Sequence, residues 1–131
     1  MRTNRLIGWI VGLLVIQYAL GMLANMYSDI PNSEPWQVFH QPGFITFHTL
    51  TGVALLVLAI AYVVLRKRAH LPIRRGAAGL VNIVLAFIFG VLFVRFQNDI
   101  LSLLMALAFL GAFVNYVIEL MAKPQAKGSG K

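Results

Sequence analysis

The sequence predicts an all-α integral membrane protein: a four-helix bundle made of two helical hairpins, with both termini in the cytoplasm. Three observations predict it. Apolar residues form four runs, at about 6–26, 44–65, 77–96 and 100–121, each with roughly the twenty residues a helix needs to cross a bilayer's hydrocarbon core. Hydrophobic residues are 60% of the chain and charged residues 11%, against roughly 45–50% and 25% in a soluble domain. The runs are apolar nearly all round, where a soluble bundle would alternate apolar and polar faces. The Lys and Arg residues fall on one side of the runs. Arg2 and Arg5 precede the first, Arg66, Lys67, Arg68, Arg74 and Arg75 lie between the second and third, and Lys123, Lys127 and Lys131 follow the fourth. This positive-inside pattern puts the termini and the middle loop in the cytoplasm and points to the plasma (inner) membrane. Only Arg95 departs from it.

The first run follows a basic start, as a signal peptide would, but exceeds the usual 7–15 residues of a signal core and reads as a retained helix. Gln17, Gly21 and Asn25 share one of its faces. Gly8 and Gly12 form a small-xxx-small pair on the other, suited to close helix packing. The segment 27–43 lacks Lys and Arg, carries Asp29 and Glu34, and offers Trp36 and Phe39 as interfacial anchors. In the second run His48, Gly52, Leu55, Ala59 and Tyr62 recur at helical spacing. The third carries Asn82, Ala86, Gly90 and Gln97 on one face. A tight turn at Gln97, Asn98 and Asp99 leads to the fourth, where Ala108, Gly111, Asn115 and Glu119 share a face. Arg95 with Asp99, and Glu119 with Lys123, have the spacing of helix-neighbour ion pairs. Pro124 stops the last helix, so residues 1–122 form the membrane domain and 123–131 a disordered basic tail.

The net charge of +7 is explained by topology and contact with anionic lipid, and no nucleic acid partner is expected. The chain has no cysteine, which excludes disulfides, thiolate metal sites and cysteine nucleophiles. No Ser/His/Asp set, phosphate loop or carboxylate pair lies at one depth, so hydrolysis has no support and the chain leans away from being an enzyme. A proton-coupled exporter of this size needs a carboxylate within the membrane, where the first run has Gln17.

An ionisable group inside a span is a functional hypothesis in its own right. His48 is therefore the first candidate, as a ligand to haem or metal or a partner for a quinone. Topology sets Asn25, Gln97 and Arg95 near it on the outer side, with Gln17 below, and these five residues form the expected cofactor-binding cluster. Two histidines, His48 and His40, make a weak metal pair, since no carboxylate or Cys joins them. His70, among basic residues, is expected to be solvated. Each candidate also has a structural reading: hydrogen bonding between helices for His48 and Gln17, and anchoring of a helix end for Arg95.

The hairpins are weakly similar to each other. Residues 14–21 lie over 83–90, and 48–52 over 107–111, which matches Gly21 with Gly90 and Gly52 with Gly111. Gln17 and Gly21, followed by His48 and Gly52, resemble the haem-binding hairpins of the haem A synthase family and, more loosely, membrane b-type cytochromes. The resemblance covers about half the chain. It implies haem b at His48 as an axial ligand. The second histidine such families use is missing from the fourth run, where Met105 lies near the corresponding place. Two functions follow as expectations: a small membrane protein that binds a haem or quinone near the outer leaflet, or a non-catalytic accessory or structural subunit. The second would form an oligomer through Gly8 and Gly12, or join a larger membrane complex.

Overall fold

The computed structural model describes residues 2–27, 34–39 and 43–122, with the side chains of 2–4 and 38 excepted. The expected four-helix bundle is present, and its helices are α1 (Arg2–Tyr27), α2 (Phe44–Arg68), α3 (Arg74–Phe96) and α4 (Asp99–Met121). Each is long and apolar enough to cross a membrane, which makes this a multi-pass membrane protein. A short 3-10 helix, Pro35–Phe39, leads into α2 and packs on α2 and α3. Within it Trp36 and Phe39 stack at 6.0 Å.

The helices form a closed ring in chain order: α1 on α2, α2 on α3, α3 on α4 and α4 on α1. Packing is densest within each hairpin. The inward residues explain this geometry. Ile7, Ile10, Leu14, Gln17 and Ala24 are buried on α1, and Leu55, Ala59 and Tyr62 on α2. With the half-buried Gly21, the α1 set alternates steps of three and four, the seven-residue repeat of a left-handed packing seam. Most of the remaining surface is large apolar side chains, as a lipid-facing bundle requires.

Both inter-helix turns in the described residues use a left-handed residue that is not glycine. After α2, His70 has φ 53°. Its N–H bonds to Lys67 O at 3.1 Å, and the Leu71 N–H reaches back to Arg66 O at 3.0 Å. This pair of bonds is the Schellman stop, which satisfies carbonyls left open at a helix end. His70 is exposed, as expected. After α3, Gln97 has φ 50°, and Asn98 then caps α4 by accepting from Ile100 N–H at 2.8 Å.

That second turn corrects the expected Arg95–Asp99 pair. The two residues are four apart in sequence, but Gln97 ends one helix and Asp99 begins the next. The neighbour spacing of a continuous helix therefore does not apply, and the Arg95 guanidinium lies instead over the Phe96 ring, 5.8 Å from its centroid. The expected Glu119–Lys123 pair falls partly outside the described residues. Glu119 pairs across the bundle with Arg66, and Lys123 lies with the rest of 123–131 outside the described residues.

Candidate functional site

Gln17 and His48, taken from the sequence as candidates, meet between α1 and α2. Gln17 is buried, which is costly for an amide unless it is bonded. Its Nε2 lies 3.2 Å from His48 Nε2, and its backbone oxygen lies 3.2 Å from His48 Nδ1. A carbonyl oxygen only accepts, so Nδ1 carries a proton. In a neutral ring Nε2 is then an acceptor, and the Gln17 amide N–H donates to it. The Thr51 hydroxyl donates to Gln17 Oε1. Phe47 O at 2.8 Å and His48 O at 3.0 Å are its alternative acceptors on its own helix.

Two glycines make this approach possible. A β-carbon on Gly21 would come within 3.0 Å of His48 Cε1, and one on Gly52 within 3.1 Å of Gln17 Nε2. Each helix thus presents a notch to the other's polar side chain. The four residues Gln17, Gly21, His48 and Gly52 form one reciprocal unit, and the wheel positions on α1 and α2 explain why they converge.

The second hairpin repeats the plan with different side chains. Gly90 on α3 faces Met105 Sδ at 3.1 Å from the position of an added β-carbon, and Gly111 on α4 faces Asn82 Nδ2 at 3.0 Å. The glycines matched by the sequence alignment therefore serve the same packing purpose in both hairpins. Met105 is engaged with its own hairpin partner in this arrangement.

The other candidates lie elsewhere. Asn25, Arg95 and Gln97 share the end of the bundle that holds His48, but all three are exposed. None makes a side-chain hydrogen bond to His48 or Gln17. Gln97 serves the chain reversal described above. His40 lies outside the described residues. Among the described residues no group of three or more His, Asp or Glu is placed to hold a metal. Gly8 and Gly12 face outward, with nothing within 4 Å of an added β-carbon.

A second polar cluster lies at the end carrying the basic loop, where Glu119 takes partners that sequence spacing did not indicate. Arg66 of α2 forms an ion pair with Glu119 of α4, their side chains only 16% and 10% exposed. The Tyr62 hydroxyl lies between them, 3.0 Å from Arg66 and 3.2 Å from Glu119, donating to the carboxylate. Tyr62 packs edge-on against Tyr116 at 6.0 Å, and Tyr116 donates to Gly76 O at 3.3 Å. These long side chains join α2 to α4 across the diagonal, where the backbones do not touch. The available signal was Tyr62 on the inward stripe of the second run, one turn before Arg66.

Replacing Gln17 with Leu should lower stability, because His48 Nε2 loses a donor that lipid does not supply. The expected loss is about 0.6–1.7 kcal/mol, the range of hydrogen bonds between membrane helices. Unfolding of the purified protein by increasing SDS, followed by circular dichroism, measures it. An unchanged midpoint would show that the cluster contributes nothing to folding.

The chain matches no protein-family model, no curated protein and no solved structure.

Proposed function

We propose that this protein is a non-catalytic structural or accessory component of the plasma membrane, with both termini in the cytoplasm. The observation that carries this reading is the engagement of both His48 ring nitrogens by Gln17. The cluster is closed on itself and acts as a lock between α1 and α2. The orientation rests on the gathering of Lys and Arg at the termini and the middle loop. In this role the bundle presents lipid-facing surface to a second copy or to a larger complex, and the open Gly8–Gly12 face is one place for a helix to approach.

A ligand-binding reading has one specific observation in its favour. Nδ1–H of His48 is held by a backbone carbonyl, the arrangement that fixes the tautomer of histidines acting through Nε2. A quinol hydroxyl could donate to Nε2 if the Gln17 amide moved aside. A six-coordinate haem does not fit the donors among the described residues. His48 is a single imidazole, and Met105 is packed against Gly90.

Absorption spectra of protein purified in mild detergent after haem supplementation, oxidised and then reduced, separate these readings, together with titration of a quinone analogue. The structural role predicts a colourless protein that does not bind the analogue. A Soret band that shifts on reduction, or analogue binding weakened by His48→Ala, would overturn it.

A further inference from the structure

Two amides in the second hairpin have hydrogen-bonding capacity that the bundle does not use. Asn82 of α3 lies against Gly111 of α4. It has no hydrogen-bond partner among the described residues, and its amide atoms are not enclosed. Asn115, one turn after Gly111, donates from Nδ2 to Gly111 O at 2.8 Å, which leaves its Oδ1 and second N–H free. Both side chains are half-buried. Around them Leu107, Val114 and Ile118 are exposed.

Depth makes this unusual. At about 1.5 Å per residue, Asn82 lies about 12 Å from the start of α3 and Asn115 about 9 Å from the end of α4. Both helices are only slightly longer than a roughly 30 Å hydrocarbon core, so both amides fall within it. Lipid chains offer neither donor nor acceptor, and an unpaired amide there costs several kcal/mol. A short Asn side chain does not reach the interface as Lys or Arg does.

We infer that a second copy of this chain docks on the α3–α4 face, with Asn82 and Asn115 of the two copies hydrogen-bonding across a two-fold axis. An amide carries both donor and acceptor, so it is complementary to itself, which an isologous contact requires. Gly111, one turn from Asn115, lets the Asn82 amide lie close against α4, so both amides belong to the α3–α4 face. This inference rests on the assembly role proposed above and assigns it to a face other than Gly8–Gly12.

The absence of cysteine provides a clean test by oxidative crosslinking in native membranes. Ile118→Cys should give a disulfide-linked homodimer, while Val57→Cys, on exposed α2 surface, should not. Adding Asn82→Leu and Asn115→Leu to Ile118→Cys should weaken dimerisation about tenfold, equivalent to about 1.4 kcal/mol, with helical content unchanged. Crosslinking of Gly12→Cys but not Ile118→Cys would overturn the α3–α4 interface and leave the assembly role standing. Failure at both positions, with a monomer in mild detergent, would remove homodimerisation altogether. Equal crosslinking at Val57 and Ile118, or a dimer unaffected by the two Asn→Leu changes, would also overturn it.

Discussion

Glu119→Leu should be among the most damaging single substitutions in this chain. It leaves the Arg66 guanidinium, 16% exposed, without its carboxylate, and Arg66 Nε is already buried without a partner. Removing one member of a buried pair typically costs about 3–5 kcal/mol, because the remaining charge is uncompensated. The same reasoning gives a similar loss for Arg66→Leu. Arg66→Leu combined with Glu119→Leu should recover much of the stability, since the desolvation cost of both charges disappears together. Tyr62→Phe should cost less than either single change. It removes one hydroxyl but keeps the ring, which carries the contacts with Tyr116 and the Arg66 guanidinium. A double-mutant cycle of SDS unfolding measures the coupling. Additive losses from the two Leu substitutions would mean that the pair does not fasten α2 to α4.

Gly79→Val should be comparably severe for a steric reason. A β-carbon at Gly79 would lie 2.6 Å from Tyr116 Cε2 and 2.7 Å from Cζ. These are rigid ring atoms of a side chain that is fully buried and hydrogen-bonded to Gly76 O. The ring is fully enclosed, so the loss should reach or exceed the roughly 1–3 kcal/mol typical of overpacking. Tyr116→Leu in the same chain should relieve part of it. Gly8→Ala supplies the opposite sign: the added carbon meets nothing, and alanine gains up to about 1 kcal/mol over glycine in a helix. Thermal unfolding of both variants in one detergent gives the comparison. Equal stability of Gly79→Val and the parent would contradict the packing described here.

The four helices were legible because the bilayer imposes a strong constraint. Every backbone amide must be satisfied within the helix, so length and apolarity alone mark a span. The α2 stripe from His48 to Tyr62 was equally legible, as helical geometry fixes which residues share a face. The meeting of Gln17 with His48 was only partly so. Both were singled out, but the notches at Gly21 and Gly52 depend on the distance and register between two helices, which no single-helix pattern contains. Asn25, Arg95 and Gln97 share a depth with His48 but not its direction, because depth follows from sequence position and direction follows from packing.

The ion pairs mark the same boundary most clearly. Sequence spacing proposed partners within a helix for Arg95 and Glu119. For Arg95 the helix ends first, at a left-handed Gln97. For Glu119 the partner among the described residues is 53 residues away, on the opposite helix of the ring. Sequence by itself determined the number of spans, their approximate ends, and the inward stripe of α2, since these follow from local hydrogen bonding and hydrophobicity. Only the tertiary structure decided which polar groups satisfy one another and which, like Asn82, are left open. That depends on contacts between helices distant in the chain, where an ångström of approach at a glycine selects the partner.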